Sequence, residues 1–365
     1  MFNQIFPNAF GLDIGDLSVK AVQLKNVSVG HKRPEYKITN TKSRILPSGL
    51  IVDGEIQKPE EVRSEIQKML SSKEKGEQPI RGSWVMAALP ETKTFLRHIE
   101  IPKTPEEITE KDILDVTKKH IPFDEGSYYF DWQYIRKKDE THTSILVGAT
   151  QKNISDMYTY LLESLNLGII GLDIEALAIA RSMITASKQY EGEARAILDI
   201  GATHSSLIIY DHDIIQFSKS LPFSGELINT IFEQTLHITH QEAEDKKKEL
   251  GFGYDEKHGQ ILQLLSQTID NLVENITEAI DFYQTRFVNP NNITHITMCG
   301  GGALIKKLPE IITKKLSIEC TPGHVWKNLS SKEQKDDGGE YLKFATAIGL
   351  ALRAADNPFA TNDTI

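Results

Sequence analysis

Cysteine is scarce in this sequence, because the 365 residues contain only Cys299 and Cys320. Two thiols are too few for a disulfide framework, so we expect a reducing compartment. Positive charge is also in deficit, since 41 Lys and Arg face 51 Asp and Glu and the formal net charge is −10. This balance argues against a protein held on nucleic acid or anionic lipid by bulk positive charge. We therefore predict no nucleic-acid partner.

Long apolar runs are absent as well. No stretch approaches the roughly 18 uninterrupted apolar residues that span a bilayer, so we predict no membrane-spanning helix. Residues 1–10 contain neither Lys nor Arg and no apolar core, which argues against a secretory signal. Residues 354–365 lack the basic face and the apolar stripe of a membrane-surface helix. If the protein works at a membrane, a partner must bring it there.

The composition that remains is that of an ordinary folded protein, with 39% apolar and 25% charged residues. At this length we expect two domains or lobes. Alternation of apolar and polar residues predicts a β-hairpin over residues 10–25, and a helical period predicts a helix over residues 56–70. Residues 83–168 follow the order strand, strand, helix, strand, strand, helix, which is typical of a compact α+β unit.

The first helix of this α+β unit is predicted to begin at the N-cap residue Thr104, with Pro105 in its first turn, and to run to about His120. The helix predicted over residues 261–287 carries apolar residues on one side, so we expect it in the core. The remaining predicted elements are strands over residues 194–200, 205–210, 214–220 and 294–298 and helices over residues 155–167, 228–236, 241–250, 304–316 and 342–353.

A short motif occurs twice, namely Asp-Ile-Gly followed by a polar turn and a second strand, from Asp13 and from Asp199. Such repetition predicts two similar lobes that face each other. A glycine turn between strands lets backbone N–H groups approach phosphate oxygens, and Lys20 adds positive charge to the first turn. A strand-end carboxylate such as Asp13 can hold Mg²⁺ through water. A third glycine turn, at residues 300–302, follows a strand and precedes a helix.

Each of these turns alone fits an ordinary strand end, but their order resembles the actin/DnaK/hexokinase superfamily of nucleotide-binding proteins. The resemblance implies a two-lobed α/β, actin-like (ribonuclease H-like) fold with ATP and Mg²⁺ between the lobes. It makes Asp13 and Asp199 the metal-binding residues and Glu175 the catalytic residue that orients the attacking water. The nucleotide contacts that it implies are Gly15, Asp16, Leu17, Ser18 and Lys20; Gly201, Ala202, Thr203, His204 and Gly225; Glu244, Lys247 and Lys248; and Gly300, Gly301, Gly302 and Ala303.

Short segments along the chain extend this pattern: Gly-Leu-Asp-Ile-Gly at residues 11–15, Leu-Pro at 89–90, Ile-Pro-Phe at 121–123, Gly-Leu-Asp-Ile-Glu-Ala-Leu-Ala at 171–178, Leu-Asp-Ile-Gly-Ala at 198–202 and Ala-Ile-Gly-Leu-Ala-Leu-Arg at 347–353. With these segments, nearly the whole chain resembles the PilM family of type IV pilus assembly proteins, to which the division protein FtsA is related. The resemblance divides the chain into lobe 1 (1A, residues 1–82 and 169–193), an inserted domain 1C (83–168), lobe 2 (2A, 194–221 and 294–365) and a helical subdomain 2B (222–293).

The same resemblance implies a partner, because PilM proteins bind the N-terminal cytoplasmic peptide of the inner-membrane protein PilN in a groove between the main lobe and domain 1C. Candidates for the groove wall are Val85, Leu89, Phe95 and Leu96. We expect a cytoplasmic adaptor of a type IV pilus or type II secretion-like machine, peripheral to the inner membrane through its partners. Nucleotide would set the angle between the lobes, and any hydrolysis would be slow. Self-association is left open.

The sequence departs from the superfamily pattern at two positions. Asp16 adds negative charge inside the first phosphate loop, where it opposes phosphate unless it faces away or holds metal, and His204 replaces a second hydroxyl residue. Two alternative functions are also open at this point. A filament-forming division ATPase like FtsA would carry an amphipathic C-terminal helix, which residues 354–365 do not resemble. A small-molecule kinase of the superfamily would need a catalytic base, for which no motif is present.

Overall fold

A computed structural model of the chain shows two β-sheets with helices packed on them. The structure describes residues 5–28, 34–73, 78–104, 106–122, 124, 126–135, 142–253, 259–330 and 338–356. Four features named above fall wholly or partly outside these ranges: residues 1–4 of the N-terminal segment, Pro105, Phe123 of the Ile-Pro-Phe segment, and residues 357–365 of the C-terminal tail.

The first sheet has five strands: from edge to edge, β10 (Gly168–Ile174), β6 (Trp84–Leu89), β1 (Phe10–Ile14), β2 (Ser18–Asn26) and β3 (Tyr36–Ile45). Strands β1 and β2 form the predicted hairpin, in which Asp13 lies opposite Lys20. All five residues of β1 are buried, because helices cover both faces of this sheet. A two-stranded hairpin of β4 (Ile51–Val52) and β5 (Glu55–Ile56) follows β3.

The second sheet has eight strands: from edge to edge, β15 (Glu319–Pro322), β14 (Ile293–Cys299), β11 (Ala194–Ile200), β12 (Ser205–Asp211), β13 (Ile214–Leu221), β7 (Thr94–Ile101), β9 (Thr143–Gln151) and β8 (Tyr128–Ile135). The antiparallel pair β11–β12 repeats the arrangement of β1–β2. The predicted duplication of the Asp-Ile-Gly hairpin is therefore confirmed, with one copy in each sheet.

The helices pack around and between the two sheets. In the described part of the chain they are α1 (Pro59–Ser71), α2 (Glu110–Thr117), α3 (Lys152–Ser164), α4 (Glu175–Met183), α5 (Gly225–Leu236), α6 (His240–Leu250), α7 (Gly259–Arg286), α8 (Leu308–Leu316) and α9 (Ala345–Ala355). Helix α7 buries Leu265, Ile269, Leu272 and Ile276, which confirms that it is a core helix. Helix α8 begins four residues later than predicted.

Helix α9 packs closely against the first sheet and against α4. A Cβ atom added at Gly11 of β1 would lie 2.3 Å from the Ala347 carbonyl oxygen of α9. A Cβ atom added at Gly349 of α9 would lie 1.8 Å from the Ala178 carbonyl oxygen of α4. Neither position has room for a side chain, so these two glycines allow the three elements to meet backbone to backbone.

Strand β7 attaches the inserted unit to lobe 2. Arg97 of β7 pairs with Phe217 of β13, and this is the one register pair between the two strands among the described residues. The Arg97 guanidinium also lies 5.3 Å from the ring centre of Phe282 and 5.4 Å from that of Phe287. Phe217 stacks on Phe287 at 5.6 Å. We call Phe217, Phe282 and Phe287 the Arg97 cage, since cation–π attraction holds the guanidinium there.

Two elements that the sequence analysis assigned to the insert lie in lobe 1. Strand β6 sits between β1 and β10 in the first sheet. Helix α3 buries Tyr158 and Leu161 in the same core as Phe10. The elements that remain outside that sheet and core are β7, α2, β8 and β9. The predicted domain bounds remain a prediction, and these contacts favour an insert narrower than residues 83–168.

Helix α2 begins at Glu110, so the predicted start at Thr104 is wrong. Thr109 is the N-cap, and its hydroxyl accepts the backbone N–H of Asp112 at 3.3 Å. The Asp112 carboxylate in turn accepts the backbone N–H of Thr109 at 3.0 Å. This reciprocal capping box satisfies two N–H groups that would otherwise lack partners, which makes Thr109 the better start.

Candidate functional site

The two Asp-Ile-Gly turns have the same backbone geometry. In the first, the Gly15 N–H donates to the Ser18 carbonyl at 3.0 Å, and in the second the Gly201 N–H donates to the His204 carbonyl at 3.0 Å. Glycine suits both tight turns, and at Gly201 an added Cβ would lie 2.7 Å from the His204 carbonyl oxygen. The two turns predicted to bind phosphate therefore match in backbone geometry, one in each lobe; their contact with phosphate remains a prediction.

Acidic side chains from both lobes converge beside these turns, around the ammonium group of Lys20. Lys20 donates to Asp13 at 2.9 Å, and both side chains are largely buried. Burial opposes the charge of Lys20, but attraction to Asp13, and to Asp199 and Glu175 beyond it, outweighs burial and raises the pKa of Lys20. The two aspartates predicted to bind metal therefore act on one lysine from opposite lobes.

Glu175 and Asp199 carry raised pKa values in this cluster. Burial, followed by repulsion from Asp13 and Asp199, raises the pKa of Glu175 well above its usual range. Burial also raises the pKa of Asp199, although the Cys299 thiol, which donates to Asp199 at 3.3 Å, opposes the shift. Carboxylates that are hard to ionise together favour a cation between them.

The chemistry of these groups fits Mg²⁺ held through water and phosphate oxygens, as Mg²⁺ prefers. No set of three or more His, Cys, Asp or Glu side chains is placed as metal ligands in the described residues. The cavity between the turns is about 30 Å³ in this conformation and is lined by Asp13, Gly15, Glu175 and His204 among others. That volume holds one or two waters and is too small for a nucleotide in this conformation.

The side chain of Asp16 bonds to a hairpin outside the first turn. Its carboxylate accepts the backbone N–H groups of Asp53 at 3.1 Å and Gly54 at 3.0 Å, in the turn between β4 and β5. The negative charge thereby holds a neighbouring hairpin, while Asp16 still lines the small cavity beside the turns. Because the side chain is engaged in these bonds, the predicted nucleotide contact of Asp16 would come from its backbone, and it remains a prediction.

The glycine-rich junction after β14 packs against the end of β11. Gly300 has a φ of +81°, and an added Cβ would lie 2.4 Å from the Ile200 carbonyl oxygen. A Cβ at Gly302 would lie 2.2 Å from the Ile200 side chain. Gly301 is different, because a Cβ there would meet nothing within 4 Å. Gly300 and Gly302 are thus required by packing, whereas Gly301 faces open space and is available to a ligand. Ala303 is fully buried.

The predicted adenine-side residues form a connected chain with the second phosphate loop. The Gly225 N–H donates to the Gly201 carbonyl at 3.1 Å, and Lys247 donates to the Gly225 carbonyl at 3.3 Å. Lys247 also pairs with Glu244 at 2.5 Å. Partial burial would raise the pKa of Glu244, but hydrogen bonds from Lys247 and Asn229 lower it to about 2.

Other predicted contacts are less connected. Lys248 is exposed and pairs with Glu244 at 3.3 Å. Thr203 is exposed, and its hydroxyl lies 3.3 Å from the His204 ring. Leu17 and Ser18 lie in the first turn and at the start of β2, with Ala202 at the matching place in the second turn. Their nucleotide contacts remain predictions.

A large groove of about 960 Å³ lies between lobe 1 and the inserted unit. One wall comes from β8 and β9, and the other from β10, α4 and α9. Leu89 and Leu96 line it, as the sequence analysis predicted. Val85 is fully buried in the lobe 1 core, so its assignment to the groove is wrong. Phe95 is not among the residues that line the groove.

The floor of the groove carries an ion cluster that the sequence analysis missed. Asp173 is almost fully buried and accepts from Arg181 at 3.1 Å and from Arg353 at 2.7 Å. Asp173 lies in Gly-Leu-Asp-Ile at residues 171–174, which is the tetrapeptide of β1. That identity was the available signal, since it predicts a second strand with an aspartate one residue before its end.

A second residue missed by the sequence analysis is Glu91, in the 3₁₀ turn between β6 and β7. Its side chain is 5% exposed, and one carboxylate oxygen, Oε2, has no hydrogen-bond partner. Burial raises the pKa of Glu91 to about 7, against hydrogen bonds from Ser218 and from the Ala176 backbone. No motif marks Glu91 in the sequence, because one acid after Leu-Pro is typical of a surface turn.

Two lobes, each with an Asp-Ile-Gly hairpin facing the other, and a glycine-rich strand–helix junction define the actin-like class of nucleotide-binding folds. A family model described as type IV pilus assembly protein PilM matches residues 11–355, and the chain belongs to this family. The match covers almost the whole chain, so the predicted family is confirmed. It favours pilus assembly over the division and small-molecule kinase alternatives.

Solved structures agree with this class. The chain is similar to a PilM–PilN type IV pilus biogenesis complex, with a TM-score of 0.77 and 22% identity over 96% of this chain and 99% of that one. Ethanolamine utilization protein EutJ from Carboxydothermus hydrogenoformans matches with a TM-score of 0.54, 13% identity and coverage of 94% and 88%. MreB5 of Spiroplasma citri bound to AMPPNP matches with a TM-score of 0.50 and 14% identity, over 94% of this chain and 95% of that one. These likenesses confirm the actin-like fold.

A membrane-spanning helix was not expected from the sequence. Among the described residues, no helix combines the length and the apolar character needed to cross a bilayer.

Proposed function

We propose that this protein is an adaptor of type IV pilus assembly that binds the N-terminal cytoplasmic peptide of a PilN-like inner-membrane protein. The observation that carries the proposal is the groove of about 960 Å³ between lobe 1 and the insert. A family relative has been solved as a PilM–PilN complex, which supports a peptide as the occupant. The bound peptide would attach the adaptor to the inner membrane, so no direct lipid contact is required.

The walls of the groove suit an extended peptide. Strands β8 and β10 are the edges of their sheets in the described part of the chain, and both border the groove. A sheet edge offers backbone N–H and C=O groups to an added strand, which gives affinity without regard to sequence. Phe130, Trp132 and Leu177 supply apolar surface, and Arg181 and Arg353 supply charge. A peptide with alternating apolar and polar side chains would use both.

We further propose that ATP with Mg²⁺ binds between the lobes. The two phosphate loops would present N–H groups to the phosphates, and the Lys20–Asp13 pair would open so that Lys20 contacts phosphate and Asp13 a metal-bound water. Glu175, at the start of α4, would orient the attacking water. No arginine faces the turns among the residues that line the cleft, so any hydrolysis is expected to be slow.

A binding titration tests the proposed function. The N-terminal cytoplasmic peptide of the PilN-like protein from the same genome is labelled and titrated with the full chain, with and without Mg-ATP. We expect a Kd of about 1 μM or lower, and no binding of a scrambled peptide. Absence of binding in both conditions, with a folded and monodisperse protein, would contradict the proposal. Sedimentation with Mg-ATP in the same samples tests self-association and filament formation.

The Gly301→Leu variant tests the nucleotide proposal. Because a Cβ at Gly301 meets open space, we expect a melting temperature within a few degrees of the original protein. The added side chain would fill the surface proposed for adenosine, so the affinity for a fluorescent ATP analogue should fall by about tenfold or more.

The matched comparison is Gly302→Ala, which adds one methyl group at a neighbouring position that has no room. Its Cβ would lie 2.2 Å from the Ile200 side chain, so this smaller change should destabilise the fold. Unchanged nucleotide affinity in a folded Gly301→Leu protein would remove the glycine-rich junction from the nucleotide site.

A further inference from the structure

The cleft between the lobes and the peptide groove share a wall. Leu89, the last residue of β6, lines both the small cavity beside the phosphate loops and the large groove. One residue therefore borders both proposed binding sites. The chain continues from Leu89 through Pro90 into the 3₁₀ turn that contains Glu91, and from there into β7.

Glu91 contacts both lobes at this point. Its carboxyl group lies against the backbone of Ala176, the second residue of α4, and against the hydroxyl of Ser218 on β13, and both favour its charged form. Ala176 follows Glu175, which faces the phosphate loops from lobe 1, and Ser218 belongs to the lobe 2 sheet. Since Glu91 is 95% buried, it cannot exchange these contacts for water without a movement of the lobes.

The remaining oxygen of Glu91, Oε2, is buried and has no hydrogen-bond partner. Such a group is costly to keep in a folded protein, which points to a role beyond packing. The carboxyl group also interacts electrostatically with Asp199 across the cleft, and through it with the acidic cluster around Lys20. Any change of charge in the cleft therefore acts on Glu91 in a poorly screened environment.

The other side of the same segment reaches the groove. The Thr94 hydroxyl donates to the Glu91 carbonyl at 3.2 Å, which ties the turn to the first residue of β7. Leu96 of β7 lines the groove, and β7 pairs along its length with β9, which supplies Leu146 and Gly148 to the same wall. On the opposite wall, α4 carries Leu177 and Arg181. Glu91 is thus linked to both walls of the groove, to one through β7 and to the other through α4.

We propose that Glu91 is a positioning residue that fixes the start of α4 against lobe 2 and transmits occupation of the cleft to the peptide groove. This inference rests on the proposed function, because it concerns the regulation of the same groove. Glu91 holds the two lobes at one separation when the cleft is closed. Opening of the cleft moves Leu89 and Glu91 together, and the insert wall of the groove moves with them.

The test measures peptide affinity with and without Mg²⁺ and a non-hydrolysable ATP analogue, in the full chain and in three variants. In the original protein we expect the two Kd values to differ by about fivefold or more, which is the usual lower range of coupling between sites. In Glu91→Ala the ratio of the peptide Kd values without and with the analogue should fall to within about twofold of one. The nucleotide-free Kd should stay within about twofold of its original value. Glu91→Gln retains the acceptor oxygen and should keep the larger ratio.

The control is Asp115→Asn, which removes a carboxylate from the exposed face of α2 and should leave every value unchanged. Coupling must also be reciprocal, so peptide should change the analogue's affinity by the same factor. Equal ratios in Glu91→Ala and the original protein, or loss of analogue binding itself in Glu91→Ala, would overturn the inference. A ratio of one in the original protein would also overturn the inference, but peptide binding would then still support the proposed adaptor function. No peptide binding at all would overturn both proposals.

Discussion

The Gly349→Ala variant is expected to lower the free energy of unfolding by about 3 kcal/mol or more, although alanine is the better helix former. Intrinsic helix propensity alone would make this change stabilising by about 1 kcal/mol. Packing opposes it, because the added Cβ would lie 1.8 Å from the Ala178 carbonyl oxygen in α4. Backbone atoms cannot move aside as a flexible side chain can, so α9 and α4 must separate.

Urea unfolding followed by circular dichroism measures this effect. Gly301→Ala serves as the control, since its Cβ meets open space and the change should stay within about 0.5 kcal/mol. A Gly349→Ala protein that is as stable as the original would mean that α4 and α9 do not cross as described. The separation should also weaken the groove floor, because Arg181 donates to the Gly349 carbonyl at 3.1 Å.

The Leu177→Asp variant is expected to weaken peptide binding by roughly 100-fold. Leu177 lies on the α4 wall of the groove and is partly buried against the neighbouring core. A carboxylate at this place would have to be desolvated under a bound peptide and would lose the apolar contact that Leu177 supplies. Helix formation itself should tolerate the change, since an acid in the first turn of a helix interacts favourably with the helix dipole.

A matched control exists in lobe 2. Leu227 is the third residue of α5, as Leu177 is of α4, and it lies outside the groove. Leu227→Asp therefore makes the same chemical change at the same helix position and should leave peptide affinity within about twofold. The labelled-peptide titration measures both variants. Normal binding by a folded Leu177→Asp protein would show that the peptide occupies another surface.

Local sequence patterns were sufficient to predict the hairpins and the core helix α7, because nearby residues determine these elements. The β1–β2 hairpin followed from alternation on both sides of a glycine turn, and the second copy followed from repetition of Asp-Ile-Gly. The core position of α7 followed from its apolar stripe. Residues 168–174 were harder, because Gly171 and Asp173 interrupt their apolar run and this edge strand buries only its last two residues.

Features that depend on distant residues could not be predicted in this way. The pairing of Arg97 with Phe217 joins two strands more than 100 residues apart in the chain, and no local pattern marks either side. The same holds for Glu91, whose contacts come from α4 and β13. Asp16 shows the converse case, since its position in the phosphate loop was predicted and its bonds to the β4–β5 turn were not.

The attachment of the insert at Arg97 has a mechanical consequence. The groove wall formed by β8 lies three strands beyond β13, which at about 4.8 Å a strand is a lever arm of about 14 Å. A rotation of about 10° between the lobes would displace the end of such an arm by about 2.5 Å, half the spacing of two paired strands. A small hinge angle would thus become a change in groove width large enough to admit or reject a peptide backbone.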